Sequence, residues 1–386
     1  MRLSFKKLVL IFIAVFMTCA KAWPSNYVQP GERYDFYDGV RGLGMGNAVV
    51  ASVDDETAIY LNPAALGRVR NYFINVADPQ VDVGQDTPNM VGTGLLDSIN
   101  PQSTLNDANK HPGKYLHQRE QISPSLVMTN FGIGVLDSYQ TDAYVDSSNT
   151  YHYHYWNDQA VTAAFNFSMF SGIWKVGANI RAIDRTESSR TDIPTTSTGL
   201  SPTSLINGST LFGEGFGIGS DIGTIVTLPY VFLPTFAAVW HDVGDTEYNI
   251  NHGSQYSTTY RPMSTPDTID MGASISPILS NGVRMVLSAQ VSDVTQNVEP
   301  TYIYEDPSIV RRLHGGVEFN FNDVLFVRGG YNQGYWTAGL EVDIGNNQLQ
   351  LASYGEEIAS VPLIGSGATY TPTEDRRYVF EYAFRY

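Results

Sequence analysis

Two histidines and a run of three acids are the groups in this chain best placed to do chemistry. His152 and His154 alternate with Tyr151, Tyr153, Tyr155 and Trp156. Side chains two apart on a strand share a face, so the two imidazoles could hold one ion together. A structural zinc site wants four ligands and only two are near, so an aromatic belt at a membrane interface is the stronger expectation. Asp54, Asp55 and Glu56 are charged enough for calcium but lack the spaced ligands of a calcium loop; pairing with arginines such as Arg181, Arg284 or Arg328 is expected instead. Gly42, Gly44 and Gly46 suggest a phosphate loop only superficially, because no lysine follows and the strand-to-helix setting is missing. No Gly-x-Ser-x-Gly motif or defensible Ser/His/Asp grouping occurs. The expectation is a protein without catalytic residues, metal or cofactor.

The composition says which elements must position these residues. The 386 residues include 35 Gly, 24 Tyr, 18 Phe and 5 Trp, and only 16% are charged. A mean hydropathy of −0.16 is too apolar for a disordered chain and too polar for a bundle of membrane helices, each needing about 20 apolar residues. A formal charge of −16 excludes a nucleic-acid partner, which would want a basic face. Residues 1–22 read as a signal peptide: Arg2, Lys6 and Lys7 precede an apolar stretch, and Ala20-Lys21-Ala22 offers a cleavage site before Trp23. Cys19, the only cysteine, follows a poor lipobox and leaves with the leader, so the exported chain has no disulfide. Ile222 to Trp240 is uncharged, but Pro229 and Pro234 break any helix there.

Strands account for the rest. Tyr378, Phe380, Tyr382, Phe384 and Tyr386 alternate with Arg377, Val379, Glu381, Ala383 and Arg385. One face is wholly aromatic and the other mostly charged, which suits lipid on one side and a wet lumen on the other. Tyr382, Phe384 and the terminal Tyr386 also look like the signal that bacterial barrel-assembly machinery reads. Similar runs give fourteen strands: 72–83, 122–130, 131–147, 150–170, 173–190, 215–227, 232–247, 267–277, 283–294, 309–320, 324–333, 335–344, 347–356 and 377–386. Tight joints near 131, 171, 229, 281, 321 and 346 alternate with others that are mostly long. That rhythm predicts an all-β, 14-stranded antiparallel transmembrane β-barrel over 72–386, with short periplasmic turns and both termini on the periplasmic side.

Residues 23–71 do not alternate and read as a compact, mostly apolar hatch. Their core, Gly42-Leu43-Gly44-Met45-Gly46-Asn47-Ala48, then Asp54-Asp55-Glu56-Thr57-Ala58-Ile59-Tyr60 and Asn62-Pro63-Ala64, resembles the N-terminal signature of the FadL superfamily. That resemblance covers about 30 residues closely and implies a hatch folded inside a fourteen-stranded outer-membrane barrel. It implies Asn62, Pro63 and Ala64 as hatch residues, with Gly42, Gly44 and Gly46 packed on the wall, in gating or in plain plug packing. Fatty-acid transporters of the superfamily release ligand sideways at a kinked third strand. Here Asp137 interrupts the outward row Phe131, Ile133, Val135, so a bulge turning it inward is expected there. The function expected is passive uptake of a hydrophobic small molecule, with outer-membrane lipid, that ligand and the assembly machinery as partners. The rival is a PorV-like role in handling exported proteins. An acidic chain favours neutral cargo over anionic fatty acids.

Overall fold

A computed structural model describes residues 35–70, 72–88, 100–146, 149–188, 192–196, 198, 212–250, 261–295, 309–358 and 371–386. Residues 1–34, which include the stretch 1–22 expected to be a leader, lie outside the described residues. Fourteen antiparallel strands form a closed barrel. The first two are each in two pieces, β1 (Tyr72–Ala77 and Gln80–Gly84) and β2 (Leu116–Ile122 and Ser125–Met128). Four long strands follow: β3 (Phe131–Val145), β4 (Thr150–Met169), β5 (Trp174–Ser188) and β6 (Phe212–Thr227). The remainder are β7 (Thr235–His241), β8 (Thr268–Ile275), β9 (Val283–Val291), β10 (Leu313–Phe321), β11 (Leu325–Asn332), β12 (Tyr335–Ile344), β13 (Asn347–Glu357) and β14 (Glu374–Arg385). Each overlaps one of the expected runs, but β2 begins at Leu116, inside the stretch expected to be a long joint before residue 122. β14 pairs with β13 on one side and β1 on the other, with Phe380 opposite Leu351 and Val81, so no sheet edge is left. Closure matters in a bilayer, where an unpaired backbone group would find no water.

Alternation places every side chain. On β14, Tyr378, Phe380 and Tyr382 point outward and are exposed, while Arg377, Val379, Glu381 and Ala383 are buried in the lumen. Leu349 and Leu351 of β13 face outward, and Gln348 and Gln350 inward. Apolar rows this exposed would be costly in water and are suited to lipid. Among the described residues no helix is long and apolar enough to cross a membrane.

The third strand does not kink at Asp137. Its ladder to β4 is unbroken from Phe131–Phe165 to Val145–Tyr151, through the pair Asp137–Gln159. Asp137 keeps its place on the outward row, where Asn157 Nδ2 donates to it at 3.1 Å. With that partner the carboxylate needs no bulge to bring it inside. The wall breaks instead at Asp78-Pro79 in β1 and Ser123-Pro124 in β2, where proline has no N–H to give a neighbour. The Asp78 carboxylate fills the gap. Ser123 N donates to it at 2.5 Å, Asn75 Nδ2 at 2.8 Å, and the Ser123 hydroxyl as well. All three residues are buried. Asp78→Ala would strand these donors, a loss of about 1–3 kcal/mol. Hydrogen exchange at 75–82 and 121–126 should quicken in that variant while β10 to β12 stay protected; uniform protection would show that the carboxylate does not seal the break.

Candidate functional site: the hatch and the cavity above it

Residues 35–70, ahead of β1, sit inside the lumen. They contain α1 (Val40–Gly44), α2 (Ala58–Leu61) and a 3-10 turn over Pro63–Arg68. Asn62 is extended, so its side chain can cap that turn: Ala64 N donates to Asn62 Oδ1 at 3.1 Å, and Asn62 Nδ2 donates to the Val50 carbonyl at 2.8 Å. Pro63 at the first turn position costs no hydrogen bond. The wall makes room by omitting side chains. A Cβ on Gly177 of β5 would lie 2.3 Å from the Pro63 carbonyl carbon, and one on Gly223 of β6 would lie 2.2 Å from Asn62 Oδ1. Gly46 has φ +64°, and a Cβ there would meet the Tyr331 carbonyl at 2.6 Å. Gly44 lies against Gly339 of β12, whereas Gly42 faces Asn47 and Val49 of the hatch itself. Thus two of the three motif glycines meet the wall. Ile59, Ala64 and Leu66 bury their side chains among Val127, Leu136, Ala164 and Ile225 of the strands.

Charges fasten the hatch, through partners other than those expected. Arg41 of α1 holds Asp54 at 2.7 Å and Asp55 at 2.6 Å, and reaches Glu318 of β10 at 3.0 Å. Glu56 pairs with Arg385 of β14 at 3.2 Å, and Arg385 also holds Asp343 at 2.5 Å. The three lumen arginines are otherwise engaged: Arg181 with Asp221 and Asp242, Arg328 with Glu318 and Glu341, and the exposed Arg284 with Asp323. The hatch carries its own cation on the adjacent helix, so the acid run needs none of them.

Burial raises the Glu56 carboxyl from 4.5 to about 7, against the pull of Arg385 and with a push from Asp55. Burial also raises Asp55, but Arg41 and Thr57 more than offset it and hold that carboxyl below its usual range. Between pH 4.5 and 7 the docked hatch therefore binds more protons than the released chain. The Glu56 contribution is full below 4.5 and is lost as pH rises through 7. Protection of hatch amides from exchange should fall roughly tenfold or more between pH 5 and pH 8. Glu56→Gln should flatten that profile at the acid level; an unchanged profile would remove Glu56 as its source.

The two histidines do not share an ion's place. His152 pairs with Asp146 at 3.0 Å and stacks on Tyr144, while His154 pairs with Glu187 at 3.0 Å and lies against Trp156. Among the described residues no three His, Cys, Asp or Glu side chains stand together as metal ligands.

Above the hatch lies a cavity of about 210 Å³. Its floor is Phe36, Tyr37, Val49, Val50, Tyr60 and Leu61, and Tyr37 stacks on Tyr60 at 4.6 Å. The opposite wall is the inward row of β7 to β9 with the segment Met263–Pro266. Gln290 joins the two sides: its Oε1 accepts from Val49 N and Val50 N at 3.1 and 3.0 Å, and its Nε2 donates to Asp270 at 3.0 Å. Arg181 lies over the Phe36 ring at 4.5 Å. Its lining comes from segments more than two hundred residues apart, so no local pattern marks the residues that form it.

No protein-family model and no curated protein matches the chain. Solved structures do. The Pseudomonas putida toluene transporter TodX matches with a TM-score of 0.53 at 12% identity, over 92% of this chain and 100% of that one. The monoaromatic hydrocarbon channel CymD matches with a TM-score of 0.52 at 12% identity, over 93% and 97%. This chain has the FadL-type fold. In this FadL-type barrel the hatch seats on Gly177, Gly223 and Gly339, and the cavity opens between that hatch and the loop residues above it.

Proposed function

We propose that the chain is an outer-membrane channel for passive uptake of hydrophobic small molecules. The observation that carries this reading is the cavity whose floor is the hatch itself. At about 210 Å³ it exceeds the roughly 150 Å³ that accommodates benzene in an apolar protein cavity, so a single aromatic ring fits. A ligand there rests on a segment held by side-chain contacts rather than by covalent bonds, and movement of that segment opens a way down. The driving force is the ligand's own transfer out of water, and no bond is made or broken. The likeness to barrels described as a toluene transporter and a monoaromatic hydrocarbon channel supports this cargo class.

The exit we assign is the seam at Pro79 and Pro124. Tyr37, on the cavity floor, lies beside Ser123 and Asp78 at that break. The rival role, gripping exported proteins, would want an apolar loop surface. Among the described residues the exposed large apolar side chains lie mostly on outward strand rows and periplasmic turns. Residues 1–22 direct export in this reading, and Tyr382, Phe384 and Tyr386 present the assembly signal. Cells that carry the barrel in their outer membrane should take up labelled toluene at low concentration several-fold faster than cells without it. Equal rates, with the barrel demonstrably folded by its heat-modifiable gel mobility, would contradict the uptake reading.

A further inference from the structure

The cavity is two-faced, and the two faces together specify a ligand. Its hatch side is mainly aromatic and aliphatic, with Asp35 and Asn47 as its polar groups, and the Tyr60 hydroxyl donates to the Val135 carbonyl at 3.2 Å. A ring or short apolar body fits against Phe36, Tyr37 and Tyr60.

The strand side is polar, but its cations are committed. Arg181 makes a bidentate pair with Asp221 at 2.8 and 2.9 Å and also holds Asp242 at 2.7 Å. Arg185 makes a bidentate pair with Asp158 at 2.6 and 2.7 Å. A carboxylate ligand would have to displace a buried carboxylate from one of these forks, and it would meet Glu187, Asp242, Asp270 and Asp293 in the lining. Neither arginine is therefore open to an anion, and the acidic lining repels one.

His241 lines the cavity at the end of β7, with its Nδ1 3.6 Å from Asp221 Oδ1. Its Nε2 has no partner among the described residues. Asp221 is fixed in turn by Arg181 and by Asn179 Nδ2 at 2.8 Å, which orients the ring. The hydroxyl of Thr268, opposite His241 in the β7–β8 ladder, lines the same wall.

We infer that the cavity binds a neutral, oxygenated hydrophobe, a phenol-like or alcohol-like ring compound, with its oxygen on His241 Nε2 and its apolar body on Phe36, Tyr37 and Tyr60. This inference rests on the uptake reading and narrows it, because it ranks such compounds above plain hydrocarbons and above carboxylates. A hydrocarbon fills the floor but leaves the imidazole unpartnered; a carboxylate satisfies it at the cost of the acidic wall.

The test uses three compounds that share one ring and methyl group: toluene, p-cresol and p-toluate. Calorimetric titration of the full chain in lipid nanodiscs at pH 7, with empty discs subtracted, should give p-cresol about tenfold tighter than toluene, the effect of one net hydrogen bond. No heat is expected for p-toluate. His241→Leu should bring p-cresol to the level of toluene and leave toluene unchanged. His241→Gln, whose amide nitrogen can stand near the Nε2 position, should keep most of the preference, which separates a contact from a general loss of packing. Toluene or p-toluate binding as well as p-cresol in the native chain would overturn this inference and leave uptake standing. Absence of binding by all three would remove the inference and the uptake reading together.

Discussion

Gly177→Val should unseat the hatch and leave the barrel standing. The new Cβ would fall 2.3 Å from the Pro63 carbonyl carbon, a backbone atom that cannot rotate away as a side-chain tip could. Valine adds two more carbons where β5 and the turn at Pro63–Arg68 touch. Overpacking of this kind costs about 1–3 kcal/mol or more, and the hatch, held mainly by side-chain contacts with few backbone bonds such as Asn130 N to the Leu66 carbonyl at 3.1 Å, yields before a fully paired strand ladder does. Limited proteolysis should cut the hatch segment, and small hydrophilic solutes should pass in reconstituted vesicles. The folded barrel should keep its heat-modifiable mobility. Gly329→Ala is the matched control, since a Cβ there meets nothing closer than 3.8 Å and should change neither property. A hatch that resists protease equally in both variants would mean that Pro63 does not depend on the Gly177 seat.

Arg41→Ala should have the second largest effect. One guanidinium there satisfies Asp55 and Glu318, both largely buried, and the more exposed Asp54. Removing it leaves two buried carboxylates without that partner, at about 3 kcal/mol, with little from Asp54 because water already screens it. Glu318 keeps Arg328, which limits the damage to the wall. The expected result is faster exchange throughout the hatch with no change in the strands. Arg41→Lys should recover only part of the loss, because a single ammonium cannot span carboxylates on two sides. Full recovery by lysine would reduce Arg41 to a diffuse charge rather than a fork between α1, its own acid run and β10.

The barrel was legible because alternation is a local property. Tyr378 to Tyr386 reveals its two faces within nine residues, and the rhythm of tight and long joints follows from turn-forming residues such as Asn281-Gly282. The hatch was legible through a motif, and the wall glycines that receive it explain why Asn62-Pro63-Ala64 fits. The wall's weak point was harder to find. Asp137 drew attention as a charge on an apolar row, yet Asn157, a cross-strand neighbour twenty residues away, supplies its partner. Pro79 and Pro124 each interrupt a single strand, and only the register places the two breaks side by side. Ion pairing was illegible for a related reason: with 39 acids and 23 bases, charge alone does not choose Arg41 over Arg181. The cavity depends on Phe36, His241 and Gln290 meeting across the lumen, which no local pattern encodes.

The most direct measurement of the account ties the hatch to the wall. A Cβ on Gly272 of β8 would lie 2.9 Å from Val50 Cγ1, so cysteines at Val50 and Gly272 can bridge with little backbone shift. The one native cysteine, Cys19, sits in the segment read as a leader and does not compete. Uptake of labelled p-cresol and toluene is then compared in cells carrying the oxidised and the reduced forms of Val50→Cys/Gly272→Cys. Uptake should fall to near the barrel-free background when the bridge is closed, and recover the native rate once a membrane-permeant reductant opens it. Equal uptake in the bridged and open forms would contradict this expectation, since the cargo would then be crossing without moving the hatch.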